Sequence, residues 1–135
     1  MTTSRDDGNM VDEFARFDLK REIADAQSKK PWTAGHYAKM LFKKDDFRTV
    51  LIAMEPQAVM KEHHADGTLS LQVLNGQIKV RINGKSQDMS EGSLLTLSAS
   101  IPHEVEALTH SAFLLTISWP SNGELLQMKH RGYGT

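Results

Sequence analysis

Glu62, His63 and His64 stand together in the stretch KEHHADG, and a further histidine, His103, follows in LSASIPHEVEA. Imidazole nitrogens and carboxylate oxygens bind divalent metals, so this grouping raises metal chemistry first. Neighbouring residues on a strand point to opposite faces. In a regular register Glu62 and His64 therefore share a face, and with His103 they make a two-histidine, one-carboxylate set suited to non-haem Fe(II). If the chain instead bends or bulges at this strand entry, His63 and His64 both reach a metal with His103, and three imidazoles suit zinc, copper, nickel or iron. A plain alternative stands beside both: KEHHADG is a polar, turn-forming stretch in which exposed histidines are ordinary.

His103 is the firmest of these candidates. Ile101, His103 and Val105 alternate with Pro102, Glu104 and Glu106, which turns the imidazole to the face of two apolar residues. A lone histidine on such a face is more often a core residue with a satisfied hydrogen bond, so convergence with His63 or His64 decides its role. Glu104 and Glu106 lie on the opposite face and read as charge on a wet sheet surface. His36, His110 and His130 fall in a pre-strand segment, a turn and the tail, and none joins the group by spacing.

The elements that position these residues are mostly strands. FDLKREIADAQSKK places Leu19, Ile23 and Ala26 on one helical face behind Asp18, a natural N-cap, and Pro31 ends the pattern. Two β-prone runs flank KKDD and read as a hairpin. Beyond residue 57, short apolar runs are cut by Asn75-Gly76, Asn83-Gly84 and Glu91-Gly92; Asn-Gly is the strongest short signal for a tight hairpin. Leu69, Leu71 and Val73 share one face, as do Ile78, Val80 and Ile82. The spacing predicts an all-β, antiparallel sandwich or barrel with a short N-terminal helix. The expected limits are a tail over 1–13, a helix region over 14–30, a β-barrel over 36–118 and a C-terminal tail over 119–135.

Composition narrows the function. The chain has 135 residues, enough for one domain with one core. Sixteen Lys and Arg against 17 Asp and Glu give a net charge of −1, which argues against a nucleic-acid partner. There is no cysteine, so disulfides, thiolate metal sites and cysteine nucleophiles drop out, and a reducing compartment, the cytoplasm, is expected. No apolar run is long enough for a membrane span, and no phosphate loop or Gly-x-Ser-x-Gly elbow appears.

The run from about residue 50 to 118 resembles the small single-domain cupins, the RmlC-like jelly-roll family. EHHADGTLSLQVLNG supplies the histidines and the glycine, Gly76, of the first cupin motif, and LSASIPHEVEA supplies the histidine of the second, His103. Leu69 stands where the family's metal-binding glutamate usually stands, Ala107 where an asparagine is expected, and Ser98 and Ser100 where proline and glycine are expected. The resemblance implies a jelly-roll barrel with an interior pocket lined by Leu69, Leu71, Val73, Ile101 and Val105. It implies a small-molecule ligand and a divalent metal (Fe, Zn, Ni or Mn) held by His103 with His63 or His64 and helped by Glu62, for oxygenase or isomerase chemistry. The alternative is a metal-free, non-enzymatic module that binds or senses an apolar metabolite. A homodimer is expected, since two-fold assemblies are the commonest.

Overall fold

The computed structural model describes residues 13–119. The expected N-terminal tail up to residue 12 and the stretch from residue 120 onward, with Leu125, Leu126, Met128 and His130, lie outside the described residues.

Helix α1 (Leu19–Ser28) begins where Asp18 caps it: the carboxylate accepts the Arg21 backbone N–H at 3.3 Å. At the other end the Trp32 indole N–H donates to the Ala26 carbonyl at 2.9 Å, which also accepts the Lys29 backbone N–H at 3.1 Å, so that the last turn is pinned from two sides. Ala26 and Trp32 pack with Ala53 and Tyr37 into a small apolar cluster. Lys39 adds an ion pair to Glu22 at 2.8 Å. The helix is thereby fastened to the first hairpin of its own chain.

That hairpin joins β1 (His36–Lys44) and β2 (Phe47–Met54) through Asp45 and Asp46, as KKDD suggests. Seven more strands complete the fold: β3 (Val59–His63), β4 (Thr68–Asn75), β5 (Gln77–Ile82), β6 (Lys85–Ser90), β7 (Leu94–Leu97), β8 (His103–Ala107) and β9 (Ser111–Ser118). They form a five-stranded sheet ordered β1-β2-β9-β4-β7 and a four-stranded sheet ordered β3-β8-β5-β6, with every pairing antiparallel. Period-two alternation sends one side chain in two toward the space between the sheets. Ile52, Met54, Leu71, Val73 and Phe113 from the larger sheet meet Ile78, Val80, Met89, Val105 and Ala107 from the smaller. Each fully buried Val, Leu, Ile or Phe in such a core stabilises the fold by about 1.5–3 kcal/mol. The fold is the antiparallel jelly roll expected, with its short N-terminal helix.

The two Asn-Gly pairs behave differently. Asn83 and Gly84, at φ +52° and +77°, close the β5–β6 hairpin as the dipeptide predicts. Asn75-Gly76 closes no hairpin, because β4 and β5 belong to different sheets. Gly76 takes φ +82° at the crossing, and a Cβ there would run into the His110 carbonyl oxygen and the Ser111 hydroxyl. Buried Ser111 staples this corner, donating to the Gln77 carbonyl and accepting the Gln77 N–H. Positive φ is common to both sites, but the packing of the sheets sets the direction the chain takes after it.

Candidate functional site

Strands β3 and β8 are neighbours in the four-stranded sheet and carry His63 and His103 as a cross-strand pair. On β8 the placement obeys plain alternation: His103, Val105 and Ala107 are buried while Glu104 and Glu106 face outward. On β3 it does not. Met60 pairs with Val105 and His63 with His103, so Lys61 and Glu62 together stand opposite Glu104 alone. This bulge resets the parity of the strand, so that Met60 and His63, three positions apart, both turn inward.

The two rings lie 4.4 Å apart between centroids and are tilted by 58°. Their anchors match. His63 Nδ1 lies 2.9 Å from the Lys61 carbonyl oxygen, and His103 Nδ1 lies 3.1 Å from that of Ile101. A carbonyl only accepts, so Nδ1 carries the proton in each ring, and Nε2 of each neutral imidazole is the nitrogen with a free lone pair. Their surroundings differ: His103 is 2% exposed, whereas His63 is exposed. Burial pushes the His103 pKa below the usual histidine value, opposed by the bond to Ile101 and reinforced by charge on His63 and His64.

His63 and His103 line a cleft between the sheets with Ile52, Met60, Leu71, Val105, Phe113 and Leu115. Including its open mouth the cleft holds about 200 Å³ of empty space, most of it too narrow for solvent, which leaves a single small gap. That is room for roughly one water. Of the residues expected to line the pocket, Leu71 and Val105 do so. Leu69, Val73 and Ile101 are not among its walls. Val73 is spent in the core, Leu69 is buried where β4 pairs with Leu97 and Ile117, and Ile101 contributes its carbonyl to His103. Ile52, Phe113 and Leu115 are walls that the motif resemblance does not point to, although the alternation in AFLLTIS already places Phe113 and Leu115 on one face.

The other candidates are not among the walls of this cleft. Glu62 is exposed on the bulge, and His64 is exposed just past the end of β3. Glu104 and Glu106 bond Arg81 across the outer face at 2.8 and 3.0 Å, a partly exposed ion-pair network. His110 is exposed in a turn, and His36 opens β1 with its Nδ1 buried and unbonded. Among the described residues no group of three or more His, Cys, Asp or Glu could hold a metal ion. Protein sites for zinc or non-haem iron take three or four such ligands. The two converging imidazoles, with buried Leu69 in place of a carboxylate, do not by themselves fit a resident divalent metal. Nor is any described helix long and apolar enough to cross a membrane.

Comparison with known proteins agrees with this fold. No curated protein matches the sequence. A conserved protein of unknown function from Streptococcus pyogenes shares the fold with a TM-score of 0.67 at 17% identity, over 90% of this chain and 97% of that one. A cupin superfamily protein from Desulfitobacterium hafniense gives a TM-score of 0.64 at 14% identity, over 70% of this chain and 87% of that one. Bacillus subtilis oxalate decarboxylase, a protein with Mn(II) centres, gives 0.57 at 24% identity, over 66% of this chain and 27% of that one. The model of the AraC-like ligand binding domain matches residues 48–125, more than half of the sequence and all of β3 through β9. The chain therefore belongs to the AraC-like ligand-binding domain family, and its fold is that of the cupin structures it resembles.

Proposed function

We propose that the protein is a small-molecule-binding module whose ligand lies between the two sheets, held by His63 and His103, and that it senses or sequesters a mainly apolar molecule without catalysis. One observation carries this reading: two imidazoles converge on a cleft whose other six walls are apolar. Such a pocket, with few polar groups placed to fix orientation, is the usual form of a small-molecule site. Met60 is its adjustable wall. An unbranched thioether on a bulged edge strand swings aside at low cost, which lets a cleft with room for roughly one water accept a larger guest.

A second reading rests on the two free Nε2 atoms. His63 and His103, joined by His64 or Glu62 through a shift of the exposed strand end, would hold a divalent metal. Such a metal supplies a Lewis acid or an oxygen-binding centre for isomerase or oxygenase chemistry. The two readings part in one experiment. Chelator-treated protein is screened by thermal shift against small apolar compounds, since a ligand specific to the folded state raises Tm by mass action. The expected outcome is stabilisation that persists without metal and disappears in His63→Trp, which fills the exposed mouth. Stabilisation that appears only after adding a divalent ion overturns the metal-free reading in favour of the second.

A further inference from the structure

The tautomers of the two site histidines restrict what a ligand can present to them. Each Nδ1–H is committed to the carbonyl two residues back, Lys61 for His63 and Ile101 for His103. Each neutral ring therefore meets the cleft as an acceptor only, through Nε2. The remaining walls are Ile52, Met60, Leu71, Val105, Phe113 and Leu115, and none offers a side-chain donor. A bound carboxylate or phosphate would face two lone pairs with no N–H to balance its charge. A carbonyl or ether oxygen would be buried without a partner and would lose its hydration uncompensated.

We infer that the ligand is an apolar molecule bearing a hydrogen-bond-donating head, an alcohol or phenol hydroxyl, which it directs at Nε2 of His63 and His103 while its body lies against Phe113 and Leu115. The inference rests on the small-molecule reading above and deepens it. The pairing is self-consistent in burial. His103, 2% exposed, keeps its acceptor away from bulk water, so a hydroxyl arriving there replaces at most the roughly one water for which the cleft has room. His63 stands at the exposed end and offers a second acceptor near the mouth. A single hydroxyl reaches one of them; a diol or catechol head reaches both.

Three probes of similar size separate the possibilities: phenol, which donates; toluene, which has the same shape without a polar head; and benzoate, which is anionic. Each is titrated into the chelator-treated full chain at about pH 8, above the ordinary histidine range. Affinity is measured by calorimetry, and the ring nitrogens are monitored by two-bond proton–nitrogen correlation. Phenol is expected to bind about five- to tenfold more tightly than toluene, with benzoate weakest, and to move Nε2 but not Nδ1 of His103. In His63→Phe, a change at an exposed position, the preference for phenol over toluene is expected to shrink. Toluene binding as well as phenol, or benzoate binding better, overturns the donor inference and leaves small-molecule binding standing. Failure of all three to bind takes down both readings together.

Discussion

The floor of the cleft and its mouth present the same chemical group in two physical settings. His103 and His63 are both anchored through Nδ1 to a carbonyl two residues back, and both leave Nε2 free. Yet His103 sits on a regular strand inside the core, whereas His63 sits on an exposed strand end behind a bulge. Identical local bonding therefore does not give identical roles. The floor residue is a structural member of the core that also faces the cleft, and the mouth residue can change without disturbing the packing.

The largest effect that would test this contrast lies at the floor. Phe113, 1% exposed and part of the cleft wall, should cost about 3–5 kcal/mol on substitution in Phe113→Ala, read from urea unfolding. His63→Ala should stay within about 0.5 kcal/mol. Similar losses at both positions would erase the distinction.

An intermediate effect concerns pH. The folded pKa of His103 lies below its ordinary value of 6.5, so the unfolded chain takes up the proton first. The stability linked to His103 is thus complete above pH 6.5 and is lost as pH falls from there through the folded value. A decline in Tm as pH falls below about 6.5 is expected in the native protein, before carboxylates titrate. It should flatten in His103→Gln and persist in His63→Gln. A decline unchanged by His103→Gln would assign it elsewhere.

The smallest effect is expected at the bulge. Glu62→Ala should change neither ligand-induced stabilisation nor unfolding by more than about 0.5 kcal/mol, because Glu62 is exposed and unpaired with the histidines. Loss of bound metal or ligand in that variant would draw the carboxylate into the site and sharpen the case for the metal-dependent reading.

These outcomes also mark how far residue patterns reach. Alternation sufficed for His103, for Leu71 and Val105, and for the Arg81-bearing strand, because a regular strand converts spacing directly into facing. It failed at residues 60–63, where one extra residue reverses parity and only the pairing of Met60 with Val105 and of His63 with His103 reveals it. Asn75-Gly76 was misleading in the same way: the dipeptide reports positive φ, while the choice between hairpin and sheet crossing depends on His110 and Ser111, more than thirty residues away. Ile52 and Phe113 joined the cleft through β2–β9 pairing, which is equally non-local. The fold was readable because many strands vote together; a site built from two or three side chains has no such redundancy.

The position of β9 carries a consequence for how the molecule is made. The last described strand lies in the middle of the larger sheet, with Val50 of β2 on one side and Leu71 of β4 on the other meeting Leu115. The β1–β2 hairpin can zip early from neighbouring residues, but its inner edge stays unpaired until β9 has been made. On the ribosome the unfinished sheet therefore holds an open edge until β9 emerges, and the cleft comes into being only then, when Phe113 and Leu115 slot in as its final wall.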